Sequence, residues 1–137
     1  MRISLRAGEK LYLNGAVFRV DRKVSIELMN DVTFLLESHV MQAGDATSPL
    51  RQVYFAVQLM LMDPGDAHAI ERSAERMFSA FLEAAEGLPI ADDVAAIRDS
   101  FRRGRLIETL KALRAAFPNE SALMSGRDGS SRRAVGR

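Results

Sequence analysis

The sequence predicts an α+β protein: a small antiparallel β module over residues 1–42, then a helical region of three to four helices over residues 48–118. A basic tail over residues 119–137 is expected to be disordered. Two observations carry this division. Through residue 41, short apolar runs alternate with polar residues at period two, at spacings of about eight to ten residues. After the polar stretch Gln42–Thr47 the apolar residues recur at helical spacing, and Ser48-Pro49 marks the change with an N-cap followed by proline at the first helical position.

The clearest local signal is Lys10-Leu11-Tyr12-Leu13-Asn14-Gly15. Leu11 and Leu13 alternate with Lys10 and Tyr12, and Asn14-Gly15 tolerates the positive φ that a two-residue hairpin turn demands. Residues 16–21 then pair back. Gly8 gives a tight entry in which a Cβ would crowd the backbone. Arg2-Ile3-Ser4-Leu5 reads as a first strand, Val24 to Met29 as a fourth, and Val32 to Leu36 as a fifth. So small a sheet is marginal alone and needs a cover or a partner.

From Leu50 to Met62 the chain is apolar nearly all round, which predicts a helix buried between others. Asp63-Pro64-Gly65-Asp66 ends it. A second helix follows with Ile70, Ala74, Met77, Phe78, Phe81, Leu82 and Ala85 on one stripe, until Gly87. A third is expected from about Ala91 to Arg103 and a fourth from Arg105 to Phe117, stopped by Pro118. Residues from Ser125 onward have almost nothing to bury.

About half of the 137 residues are hydrophobic, enough for a packed core, and there is no cysteine, which excludes disulfides and thiolate chemistry. No apolar run approaches the roughly 18 residues of a membrane span, and Glu9 and Lys10 interrupt the N-terminus early, so a cytoplasmic protein without membrane association is expected. The two histidines, His39 and His68, share no metal-ligand spacing, and Asp92-Asp93 sits where a helix start favours acidic residues. No phosphate-loop, dinucleotide or nucleophile-elbow motif is present. The expectation is a non-enzyme with no cofactor and no metal.

The net charge of +1 gives no general attraction to polyanions, so binding to nucleic acid has to come from a local patch. The β segment supplies one, in Arg2, Arg6, Lys10, Arg19, Arg22 and Lys23, interleaved with Tyr12, Phe18 and Phe34. Cations on a sheet hold phosphates while exposed aromatics stack on unpaired bases, with Tyr12 the candidate platform. Against this stand Glu9, Asp21, Glu27, Asp31 and Glu37, and the alternative in which the sheet has a solvated outer face with Phe18 and Phe34 in the core.

Two stretches, Gly8-Glu9-Lys10-Leu11-Tyr12-Leu13-Asn14-Gly15-Ala16-Val17 and Arg51-Gln52-Val53-Tyr54-Phe55-Ala56-Val57-Gln58-Leu59-Met60-Leu61, resemble the FlbT family of flagellum biosynthesis repressors of alphaproteobacteria. The likeness runs in order over residues 2–116. It implies a post-transcriptional regulator that associates with the 5′ untranslated region of flagellin mRNA and promotes its degradation. The first forty residues are also distantly similar to the carbon storage regulator CsrA, a strand-swapped RNA-binding dimer, in a basic residue shortly before Gly-Glu (Arg6, then Gly8-Glu9), a strand, a glycine turn and further short strands. That likeness implies a homodimer through the β module. The last-strand arginine of that family falls on Glu37 here, and a carboxylate facing phosphate is repulsive. The alternative function is a protein-interaction module in which the apolar helix 50–62 and its neighbours bind flagellin or a flagellar assembly regulator, affecting the mRNA indirectly.

Overall fold

The structure, a computed structural model, describes the backbone of residues 1–136 and the side chains of residues 1–126. Five short strands come first: β1 (Arg2–Leu5), β2 (Lys10–Leu13), β3 (Ala16–Arg19), β4 (Val24–Glu27) and β5 (Phe34–Leu36). Four helices follow, α1 (Pro49–Met62), α2 (Ala67–Ala84), α3 (Pro89–Arg102) and α4 (Leu106–Gly136). The α+β order expected from the sequence is therefore present.

The strands do not form an up-and-down meander. β1 pairs antiparallel with β4, and β2 lies between β3 and β5 in a second antiparallel sheet. Asn14 and Gly15, at φ +49° and +83°, make the expected turn between β2 and β3. A Cβ on Gly15 would also stand 3.4 Å from the Pro64 ring, so the hairpin tip rests on the α1–α2 connection. Gly8 is used for its φ of +81° rather than for space, because a Cβ there would meet nothing within 4 Å.

Strand alternation divides the apolar side chains between two cores. Ile3, Leu5 and Leu11 are buried between the sheets, with Leu13, Val24, Phe34 and Leu36 packed around them. Tyr12 and Leu35 point the other way, into the helical core. The register sets Leu11 opposite Leu36 and Tyr12 opposite Leu35, so β2 and β5 present one face to each core. Phe18, the neighbour of Leu11 on β3, is 49% exposed, which overturns its expected place in the core.

Helix α1 is central, as its all-round apolar sequence predicts. Leu50, Val53, Tyr54 and Val57 are buried, and α1 packs on both α2 and α4. Its two buried polar side chains tie down the loop before it. Gln58 accepts from the Met41 amide at 2.6 Å and donates to the Met41 carbonyl at 2.8 Å, as a neighbouring strand would. Tyr54 Oη donates to the His39 carbonyl. On the far side, Phe78 of α2 and Phe101 of α3 pack with ring centroids 5.4 Å apart, and Arg102 bonds Glu75 across the same pair of helices.

Pro118 does not stop the fourth helix, which runs through it. Proline inside a helix forfeits a backbone bond and costs about 3 kcal/mol. The compensation is tertiary. Phe117 is 8% exposed and its ring meets Tyr54 edge-on, while Glu120, 2% exposed, reaches the start of α1. One carboxylate oxygen of Glu120 accepts from Ser48 Oγ and the other from the Leu50 amide at 2.8 Å. Ser48 is the N-cap of α1, its Oγ accepting from the Arg51 amide. A carboxylate is thus placed against the positive end of α1. Residues 119–126, expected to open a disordered tail, belong to this helix; side chains from Arg127 on lie outside the described residues.

Replacing Glu120 with alanine is expected to cost about 2–3 kcal/mol, since it removes two hydrogen bonds to a charged acceptor and a favourable charge at a helix start. Ser48→Ala is expected to cost about 1 kcal/mol. Because the two share a bond, urea unfolding of the double variant should show less than the sum. Additivity within about 0.5 kcal/mol would contradict this capping role.

Candidate nucleic-acid interface

The ladder gathers five of the six expected sheet cations at one end. Lys10 stands directly opposite Arg19 in the β2–β3 register. Beyond it the Gly8 amide donates to Val20 at 2.7 Å, so the hairpin base stays closed up to the Asp21-Arg22-Lys23 bend. In the other sheet the last pair is Leu5↔Val24, and one step further in that register places Arg6 beside Lys23. Arg6, Lys10, Arg19, Arg22 and Lys23 therefore all lie at the end that the two sheets share.

Arg2 does not join them. It lies at the opposite end of β1, across from Glu27, and pairs with that carboxylate at 3.3 Å. Tyr12 does not present a free ring either, being half-buried against the helical core. The exposed aromatic of this sheet is Phe18, beside Val17 on β3, with Arg19 following it. The register sets Phe18 opposite Leu11, yet on the edge strand its ring stays half exposed.

Three carboxylates stand near the cluster, and two are bound to backbone. Glu9 accepts from the Arg6 amide at 2.9 Å and Glu37 from the Lys10 amide at 3.0 Å. Asp21 pairs loosely with Arg22 at 3.7 Å, both side chains more than four-fifths exposed. Among the described residues, Arg6, Lys10, Arg19 and Lys23 form no ion pair. A cross-strand Lys–Arg rung is repulsive and adds nothing to the fold, so the arrangement favours an incoming anion.

Elsewhere two ionisable groups are shifted. His39 is pushed below its ordinary value first by burial and then by the nearby Arg114 charge. Arg102 is raised, chiefly by its hydrogen bond to Glu75. Among the described residues no group of three metal-ligating side chains is assembled, and no helix is long and apolar enough to cross a membrane.

Because Lys10 and Arg19 repel across the ladder, Arg19→Glu is expected to raise stability by roughly 0.2–1 kcal/mol. Thermal or urea melts of the variant check this; a loss of stability would mean that the Arg19 side chain is held by the fold for its packing.

The family profile described as flagellar protein FlbT matches residues 1–124. The chain is 50% identical over 126 residues to the probable flagellum biosynthesis repressor protein FlbT 2 of Bradyrhizobium diazoefficiens, covering 92% of this chain and 93% of that one. It is 48% identical over 128 residues to the probable flagellum biosynthesis repressor protein FlbT of Brucella anthropi, and 44% identical over 124 residues to that of Brucella ovis, in each case over 90% of this chain and 82% of the relative. No solved structure matches it. A match spanning both the β strands that form the cation cluster and the helices that support them leaves one assignment: the chain belongs to the FlbT family of flagellar proteins.

Proposed function

We propose that this chain regulates flagellum synthesis without catalysis, as a cytoplasmic repressor that associates with the 5′ untranslated region of flagellin mRNA and promotes its degradation. The relatives at about half identity, named as flagellum biosynthesis repressors, support the regulatory part. The observation that carries the RNA part is the cluster of Arg6, Lys10, Arg19, Arg22 and Lys23 at the shared end of the two sheets, largely without ion-pair partners and with Phe18 exposed beside it. Cations there meet phosphates, and the Phe18 ring offers a stacking surface for an unpaired base, a better one than the packed Tyr12. Arg2, paired with Glu27, contributes least.

The protein acts in this reading as a homodimer through the β module. The edge strand β3 is exposed at every position, with Val17 at 60%. An unpaired apolar edge of this kind is a template for pairing with another chain. Val17→Lys should shift the light-scattering mass toward the monomer.

A second reading is a protein-interaction module that takes flagellin or a flagellar assembly regulator. It draws on an apolar groove of ≈ 330 Å³ where the start of α1 meets α2 and α4, lined by Met77, Phe81, Leu88, Leu123 and Met124. Methionine-rich grooves adapt to apolar helices. The buried stripe of α1 itself is spent on the core and is not available for this.

The deciding experiment is a titration of the purified protein against a flagellin leader RNA and a scrambled control at several salt concentrations. Selective binding should weaken with salt at a log–log slope of about −3 if four phosphates are neutralised on single-stranded RNA. Arg6→Ala and Arg19→Glu should each weaken binding, Arg6→Ala flattening the slope by about one unit. Unselective binding, or none at tens of micromolar, would transfer the function to the groove, to be followed with purified flagellin.

A further inference from the structure

The loop between β5 and α1 folds over a polar cleft of ≈ 660 Å³ whose other walls are α1 and α4. Arg51 from α1 and Arg114 from α4 both line it. Each guanidinium is laid on an aromatic ring: Arg51 Cζ is 4.4 Å from the Phe117 centroid, and Arg114 Cζ is 5.8 Å from that of Tyr54. The two rings meet edge to face at 5.6 Å, so the platforms form one unit. Arg114 Nη1 also donates to Tyr54 Oη at 2.9 Å, which fixes its orientation.

Among the described residues neither arginine forms an ion pair. Asp45 is the one carboxylate among the lining residues and lies outside pairing distance of both. Stacking holds a guanidinium flat while its N–H edge stays available for bidentate bonds to an oxyanion. Hydroxyls of Ser38, Thr47 and Ser121 line the same walls. With one Arg114 N–H spent on Tyr54, the two guanidiniums and the three hydroxyl-bearing residues still hold more donors than the two oxygens of a carboxylate use, and suit a group with three or four oxygens. The positive field in the cleft is also felt by His39, whose proton affinity is lowered in part by Arg114.

We infer that this cleft binds a phosphate group, carried by a nucleic-acid backbone or by a small phosphorylated ligand, with Arg51 and Arg114 as its bidentate donors. The site stands on helix residues and does not rest on the sheet cluster. The two adjoin across the turn Glu37–His39, whose first residue accepts from Lys10 and whose next two line the cleft.

The chain has two histidines, so proton NMR titration follows the cleft directly, with His68, 92% exposed, as internal control. The charged groups that share a cavity wall with His39 are Arg114 and Lys111 from α4, Arg51 from α1, Asp45 from the loop, and Arg2 with Met1 from the N-terminal end. An anion bound among them offsets the arginine charges and raises the His39 pKa. Inorganic phosphate should do so beyond what sodium chloride of equal ionic strength does, and should leave His68 alone. Arg51→Gln should weaken phosphate binding at least about tenfold, the loss of one charge-assisted contact. Arg51→Lys, which keeps the charge and loses the fork, should recover part of it. Arg114→Gln also removes a bond to Tyr54, so the Arg51 variants carry the test, and Arg51→Lys keeps a cation beside the Phe117 ring.

A short single-stranded RNA moving His39 at far lower concentration than phosphate, and displaced by phosphate, assigns the group to nucleic acid. Phosphate acting where RNA does not assigns it to a small ligand. No movement of His39 beyond the chloride control with either probe, or equal movement in Arg51→Gln, overturns the site. Failure here with RNA binding still sensitive to Arg6→Ala leaves the sheet reading standing; the reverse pattern removes the sheet and keeps the cleft.

Discussion

The carboxylate of Glu120 against the start of α1 is the constraint on which the remainder of the molecule depends. It fixes where α4 crosses α1, and with it the seat of Phe117 against Tyr54. Tyr54 and Gln58, on the next turns of α1, then hold the loop at His39 and Met41. That loop leads back to β5, which pairs with β2, and β2 carries Lys10 into the cation cluster. A charge buried near the end of the chain is thereby connected, bond by bond, to a charged surface near its beginning. The acid is tolerated because both its oxygens are occupied and the helix end supplies the compensating field.

Charge is distributed unevenly over a nearly neutral chain. On the helices, acids and bases cancel locally: Arg102 with Glu75, Arg103 with Asp99, Arg105 with Glu108. Exposed pairs of this type contribute little to stability. They do remove charge from the surface, while among the described residues Arg72, Arg76, Arg98 and Lys111 form no ion pair, nor do Arg6, Lys10, Arg19 and Lys23 at the sheet end or Arg51 and Arg114 in the cleft. The carboxylate Glu37 lies between the sheet end and the cleft but is bound to the Lys10 amide. Its charge is therefore partly spent within the fold.

Much of the fold was legible in the chain. Asn14-Gly15 fixed the hairpin, Ser48-Pro49 the start of α1, and the all-round apolar run its central position. Three things were not. Pro118 reads as a stop by every local rule, and the contacts that override it belong to residues some seventy positions away. Alternation places Tyr12 and Leu11 on opposite faces, yet with apolar residues on both faces it cannot tell which core each will enter. The clustering of Arg6 with Lys23 follows from the pairing of β1 with β4, a non-local choice that no spacing announces. The cleft arginines did leave a trace. Neither Arg51 nor Arg114 has an acidic residue three or four positions away, a trait shared with Arg76 and Arg98, and both sit on largely apolar stretches.

The distance in sequence between Ser48 and its carboxylate has a consequence during synthesis. The two residues are 72 apart, and a ribosome adding about 5–20 residues per second takes roughly 4–14 s to cover that interval. Through those seconds α1 has its N-terminal turn uncapped by Glu120 and one of its two packing partners missing, while its apolar faces are already made. The β hairpin and the α1–α2 pair are complete well before α4 arrives. The nascent chain therefore passes through an interval in which its most apolar helix is half covered, and the order of its translation, rather than its final stability, sets how long that helix is open to capture by a chaperone or by another nascent copy.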